Sequence, residues 1–415
     1  MTAQAPLSAE VRVRKLAAAF PVVRERSMTL AQPLSDEDCC VQSMPDASPA
    51  KWHLAHTTWF FETFILERFE ADFQPFHPAF RVLFNSYYEG VGEQHPRAQR
   101  GLLTRPSLAE VRAYRLNVDQ RLQRLLSAML PSAASHALAS LLELGLQHEQ
   151  QHQELLLTDI KHLLSLNPLK PPYLLDGRPE SDRQSITPAP LCWQPFEAGI
   201  VEVGHAGQGF FFDNERPRHR QFVERFSIAS RLVSNGEYLA FVEAGAYQNP
   251  LLWLAAGWEW VVQQNLTHPL YWQKSYTQFD SAWQEFTLHG LQPLALNDAV
   301  THLSFFEAEA YARWAGARLP TEAEWECAAA ANAASQDADY FGIAWQWTGS
   351  SYAPYPGYVP QEGAVGEYNG KFMVNQYVLR GSSSATPPGH ARLSYRNFFP
   401  ATARWQFSGI RLARS

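Results

Sequence analysis

His148-Glu149-Gln150-Gln151-His152 lies within a long stretch of helical periodicity that runs from about Ser132 to Leu166 and stops before Asn167-Pro168. Residues four apart share one face of a helix, so both imidazoles can reach a single metal ion. Such a site needs further ligands, and facing helices of a bundle are a common source of them.

Three more helical segments precede this one. The first runs from about Ser8 to Leu30. A second begins at Ser48-Pro49, a capping Ser with Pro at the first helical position, and continues through KWHLAHTTWFFETFILERF. The third opens at Ser107-Leu108-Ala109-Glu110, a capping-box pattern, and reaches about Leu130. Four such helices predict a bundle over residues 1–166. Residues 71–106 join its second and third helices, although bundle connections usually take about 2–8 residues. This loop holds Asn85-Ser86-Tyr87-Tyr88 and then His95-Pro96-Arg97-Ala98-Gln99-Arg100. Paired tyrosines and spaced arginines on so long a loop suit an active site.

Residues 167–190 are Pro-rich and polar, the composition of a linker. Beyond them, residues 191–415 break into short strand-like pieces and turns, which predicts an irregular α+β domain. The length of 415 residues is too great for one ordinary core. A net charge of −7 without a Lys/Arg run argues against nucleic acid and acidic membranes as partners. Four Cys do not make a disulfide framework. No apolar run is long enough for a transmembrane helix, and the N-terminal residues lack the apolar core of a signal peptide. A soluble protein of the reducing cytoplasm is expected.

The second half also holds Ser304-Phe-Phe-Glu-Ala-Glu-Ala-Tyr-Ala-Arg-Trp-Ala-Gly-Ala-Arg-Leu-Pro-Thr-Glu-Ala-Glu-Trp-Glu326, Ala344-Trp-Gln-Trp-Thr348, Val378-Leu-Arg-Gly-Ser382 and Gly409-Ile-Arg-Leu-Ala413. In this order they resemble the formylglycine-generating (sulfatase-modifying factor) domain, a C-type-lectin-like fold. The last Cys is Cys327, so the reactive cysteine pair near that enzyme's C-terminus has no counterpart and formylglycine chemistry is not expected. The first half resembles the DinB-like metal-binding four-helix bundle. WHLAHTTWFFE and HEQQHQELL joined to such a C-terminal domain resemble the EgtB-type sulfoxide synthases of ergothioneine biosynthesis, over essentially the whole chain.

That resemblance implies iron(II) held by His56, His148 and His152, with O2 as co-substrate. It implies a reaction that joins cysteine, or its γ-glutamyl derivative, to the imidazole C2 of N-α-trimethylhistidine as a sulfoxide. Tyr87 and Tyr88 match the paired tyrosines of the cysteine-using branch, where a tyrosine supplies a proton or hydrogen atom. Arg97 and Arg100 would hold the donor's carboxylate, a task that suits bidentate guanidinium geometry. Gln151 and Asn397 would bind the carboxylate of trimethylhistidine, and Phe398 and Phe399 would face its trimethylammonium group.

Other readings of the same residues stand beside these. His53, three residues before His56, competes for the third ligand position. Imidazole ligands accept several divalent ions. His148–His152 also spells H-E-x-x-H, in which two His bind zinc and the Glu is the base of a peptidase; the extended form fails at residues 155–158, Leu-Leu-Leu-Thr. A sibling coupling enzyme with another acceptor or a selenium donor, and a non-catalytic binding protein with a structural metal, are the alternatives in function. Tyr87-Tyr88 and the Phe398-Phe399 pair could be core packing, and Arg97 and Arg100 a solvated face. His77, His95, His162, His219 and His390 read as structural.

Overall fold

The computed structural model describes residues 9–128, 133–175, 190–207, 209–276, 281–333, 339–360, 366 and 368–415. Two compact units divide between Leu166 and Asn167.

The first unit is helical. Helices α1 (Ala9–Ala31), α2 (Ala50–Phe61), α3 (Leu108–Ala128) and α4 (Ala133–Leu166) account for most of it. α1 packs chiefly along α4, and α2 against α3 and α4. All of α2 is buried, from Ala50 to Phe61. A helix enclosed on every side has no solvent face to keep polar, so polar residues within it need partners inside the protein. α2 continues through one π-helical turn, Glu62–Leu66, and ends at Phe69.

The expected caps differ in outcome. Ser107 and Glu110 form the reciprocal box: the Ser107 N–H donates to Glu110 Oε2 at 2.8 Å and the Glu110 N–H to Ser107 Oγ at 3.2 Å. Ser48 does not cap α2. The residue preceding that helix is Pro49, with no side-chain cap. Ser48 Oγ instead accepts from Arg100 Nη1 at 2.9 Å, and its N–H donates to Asp159 Oδ2 at 2.8 Å. The expected helix start at Ser132 lies outside the described residues.

The connection between α2 and α3 is ordered by its own hydrogen bonds. It contains a short helix, Phe80–Leu83, and 3-10 turns at Glu89–Val91 and Arg97–Leu102. Buried Asn85 holds one bend together: Nδ2 donates to the carbonyls of Tyr88, Gly92 and Glu93, and Oδ1 accepts from the Tyr88 N–H.

Among its described residues the second unit mixes short strands with four α-helices, α5 (Asn235–Glu243), α6 (Ala255–Gln264), α7 (Phe305–Trp314) and α8 (Glu322–Ala331). A three-stranded sheet orders β1 (Trp193–Phe196), β4 (Phe226–Ala229) and β12 (Ala413–Arg414), with β4 pairing antiparallel to both of its neighbours. A four-stranded sheet runs β10 (Asn397–Pro400), β9 (Gln376–Gly381), β8 (Trp345–Ser351) and β11 (Ser408–Gly409). β2 (Gly199–Val203) pairs with β3 (His219–Val223), and β5 (Trp272–Tyr276), β6 (Ser281–Thr287) and β7 (Gly290–Pro293) form a meander.

The motif RLPTEAEWE builds this fold. Thr321 and Glu324 cap α8 reciprocally. Glu322 accepts from Arg396 Nε at 2.6 Å, Arg380 Nη1 at 3.0 Å and the Tyr355 hydroxyl at 2.8 Å, while Glu326 takes the Gly204 N–H and Arg380 Nη2. Burial alone would push the Glu322 carboxyl up, but Arg396 and Arg380 hold it below its ordinary range. Of the stretch 167–190, the N–H groups of Tyr173 and Leu174 both donate to Leu288 O at 2.9 Å, so its first part is bound within the second unit. Residues 176–189 lie outside the described residues.

Candidate metal centre

His56 on α2 and His148 and His152 on α4 bring one ring nitrogen each to within 4.8 Å of one another. His56 Nε2 and His148 Nε2 are 3.1 Å apart. The other His56 nitrogen faces Phe84 O at 2.6 Å. A carbonyl can only accept, so the proton sits on Nδ1 and Nε2 presents its lone pair to the other two rings. Metal–imidazole bonds of about 2.1 Å at right angles would set two nitrogens about 3 Å apart. The residues therefore fit a first-row divalent cation bound by three imidazoles.

The rings are neutral. Burial, reinforced by neighbouring rings and Arg100, holds His56 and His152 well below the ordinary imidazole value, and burial lowers His148 to about 3. A ligating His must be neutral, so proton competition for these nitrogens is slight.

His53 stands behind the trio. Its Nδ1 is 2.8 Å from His152 Nδ1 and its Nε2 is 3.0 Å from Asp159 Oδ2. The cluster of three ring nitrogens takes in His56, whereas both nitrogens of His53 face His152 and Asp159.

Glu149 points elsewhere. Oε2 accepts from Arg24 Nη1 at 2.8 Å, and Oε1 from Arg115 Nη2 at 2.8 Å and Ser27 Oγ at 2.6 Å. Burial would raise its pKa, but the two guanidinium groups and Ser27 hold it down to about 2. A carboxylate so engaged cannot serve as a peptidase base at the histidines, which removes the H-E-x-x-H reading.

Aromatic rings wall the site. Trp52 stacks on the His56 ring at 4.5 Å and 11°, and Trp59 on the same ring at 5.5 Å and 16°. Phe60 lies 4.8 Å from the His148 ring. Tyr88, fully buried, touches Trp59, Phe60 and Phe64, and Tyr87 stacks on it with the two hydroxyls 3.5 Å apart.

The two arginines part company. Arg97 is exposed and donates to Asp46 O. Arg100 is buried, its guanidinium 3.4 Å above the Trp52 ring on the same stack as His56. Its one hydrogen bond among the described residues goes to Ser48 Oγ, and no carboxylate pairs with it. Burial, reinforced by Arg97, lowers its pKa to about 9.

Gln151 is half-buried on α4, one residue before His152. Asn397, Phe398 and Phe399 are half-buried on β10 in the second unit. Phe398 stacks on Tyr352 at 4.1 Å, and Phe399 meets Trp405 edge-on at 5.9 Å.

Sequence reading missed Trp52, Ser48 and Asp159 as parts of the site and gave His53 no supporting role. One local signal existed for Asp159: it follows His152 by seven residues, two turns along the same helix face.

Residues 19–156 match the DinB superfamily, and residues 195–341 match the sulfatase-modifying factor enzyme 1-like domain. The hercynine oxygenase of Mycobacterium tuberculosis is 31% identical over 460 residues, covering 96% of this chain and 98% of that protein. The hercynine oxygenase of Mycolicibacterium smegmatis is 29% identical, again over 96% of this chain and 98% of the relative. A formylglycine-generating enzyme from Streptomyces coelicolor is 32% identical over 174 residues, 37% of this chain and 49% of that enzyme. With both domains matched and that identity sustained over nearly its full length, the chain belongs to the hercynine oxygenase family.

Proposed function

We propose that this protein couples the sulfur of a cysteine-type thiol to the imidazole C2 of N-α-trimethylhistidine, with O2 as oxidant, to give a sulfoxide in ergothioneine biosynthesis. The observation that carries the reading is the convergence of three neutral imidazoles from α2 and α4 in a member of this family. The overall reaction balances: S–H and C2–H bonds are lost, S–C and S–O bonds form, and O2 takes four electrons to end as the sulfoxide oxygen and water.

Iron(II) bound by His56, His148 and His152 would supply O2 activation and deprotonation of the thiol. The chain's own groups prepare the surroundings. Phe84 O keeps the His56 proton on Nδ1. Trp52, Trp59 and Phe60 exclude water from the rings. Arg100 binds the donor's carboxylate, which would complete a buried guanidinium that, among the described residues, hydrogen-bonds only to Ser48 Oγ. Tyr87 and Tyr88, with adjacent hydroxyls, would hold the proton that the reaction draws on. A tyrosine pair on the first unit, and a loop on which Arg100 is buried but Arg97 is exposed, favour free cysteine over γ-glutamylcysteine. Four free cysteines suit a reducing cytoplasm, where such a thiol is available.

The test is direct. Purified protein with iron(II), O2, N-α-trimethylhistidine and cysteine should yield the coupled sulfoxide, identified by mass spectrometry, and γ-glutamylcysteine should be the poorer donor. No coupled product with either thiol overturns the reading.

A further inference from the structure

His152 is supported by a chain of two side chains that crosses between helices and returns. Asp159, on α4 two turns beyond His152, accepts from the Ser48 N–H at 2.8 Å and faces His53 Nε2 at 3.0 Å. His53, on α2, turns its other nitrogen to His152 Nδ1 at 2.8 Å. His53 and Asp159 are buried, 4% and 7% exposed, and His152 is half-buried. The two helices thus exchange support: α2 gives the ligand His56 and also braces the ligand of α4, and α4 anchors that brace.

The proton positions follow from the chemistry of the partners. A carboxylate oxygen accepts, so His53 Nε2 carries the hydrogen toward Asp159. With that hydrogen on Nε2, His53 Nδ1 is the accepting nitrogen, and the hydrogen in the Nδ1–Nδ1 contact belongs to His152. With Nδ1 turned to His53, Nε2 is the unprotonated nitrogen that His152 has left for the cluster with His56 and His148. The reverse arrangement would put a proton on the ligand nitrogen.

We propose that Asp159 and His53 form a positioning relay that fixes His152 as the Nδ1–H tautomer and thereby sets the metal affinity of the site. The inference rests on the metal site in the function proposed above. Carboxylate–histidine–metal support is usually direct; here an imidazole is interposed, which extends the carboxylate's reach across the helix interface. Removing such support typically weakens metal affinity about 10- to 100-fold.

Cobalt(II), titrated into the metal-free full chain, is the probe. Affinity comes from chelator competition, ligand environment from the d–d absorption bands, and the coordinated imidazoles from their paramagnetically shifted ring C–H proton signals, which solvent exchange does not remove. Wild type should show three such imidazoles. His53→Phe should bind cobalt about 10- to 100-fold more weakly, with shifted bands and still three imidazoles. The His152 Nδ1–H should also exchange faster with solvent. Asp159→Asn keeps every ring and should lose affinity by a smaller factor.

Unchanged affinity and bands in His53→Phe overturn the relay. Loss of one imidazole from the count also overturns it, since His53 would then be a ligand itself. Should His53→Phe fail to fold, Asp159→Asn decides, and wild-type affinity and exchange there reject the proposal. A wild type that binds no cobalt rejects the metal site and the relay together, whereas failure of the variants alone leaves the proposed function standing.

Discussion

Arg100 shows at the scale of one residue how function and stability pull apart. Its guanidinium is buried on Trp52 with a serine hydroxyl as its hydrogen-bond acceptor; among the described residues no carboxylate is hydrogen-bonded to it, and Asp159 offsets its charge only in part. An arginine does not deprotonate in a protein, so the depression to about 9, caused by burial and then by Arg97, expresses how poorly the fold accommodates that charge. A substrate carboxylate would relieve the strain on binding. Arg100→Met should therefore stabilise the substrate-free protein by about 1–3 kcal/mol, seen as a higher thermal midpoint. The same substitution should raise the KM for the thiol about 10- to 100-fold, the worth of hydrogen bonds to a charged group. Arg100→Lys, which keeps charge but not the planar fork, should fall between. An unchanged KM in Arg100→Met would make Arg100 a packing residue. The sequence shows Arg97 and Arg100 as equals three positions apart. What separates them is the inward face of one 3-10 turn, with Trp52 beneath it and Ser48 at its edge.

At the scale of elements, Glu149 binds the four helices together. It receives Arg24 and Ser27 from α1 and Arg115 from α3, and these arginines also reach Thr57 and Thr58 on α2. Loss of one member strands buried charge, and breaking such pairs costs about 3–5 kcal/mol. Glu149→Ala should destabilise the first unit by that order in urea unfolding. The pH dependence has a definite sign. Glu149 is held near 2 against an ordinary 4.5, so its contribution is complete above pH 4.5 and is lost as pH falls toward 2. That share is about 3 kcal/mol. Glu149→Gln should flatten the acid limb of stability between those values, and an unchanged limb would mean other carboxylates carry it. Short-range patterns were legible here. The Ser107–Glu110 box and the His148–His152 spacing are set by residues within one turn of each other. Ser48 misled because its hydroxyl serves Arg100, 52 positions away. His53 and His56 could not be told apart by spacing, because the contacts that distinguish them, Asp159 for one and Phe84 O for the other, come from other elements.

For the whole molecule, the two units are stabilised by separate buried charge networks, and neither network passes through the histidines. The second unit has Glu322 and Glu326 with Arg380 and Arg396, so RLPTEAEWE was readable as a fold signature although its partners lie 54 to 74 positions downstream. The first has the Glu149 cluster and an α2 buried on all sides. The histidines are already neutral and oriented by Phe84 O and His53. A cation would then bind to a formed site and would not be needed to fold it, unlike a zinc finger, which is unfolded without metal. Metal removal by a chelator should leave the far-UV circular dichroism of the full chain unchanged. Thermal stability should fall only by the linkage amount, about 2.7 kcal/mol for metal at 100 times its Kd. That loss should return on titrating metal back, with a midpoint that follows the free metal concentration. Collapse of the helical signal on chelation would show instead that α2 and α4 depend on the ion to stay together.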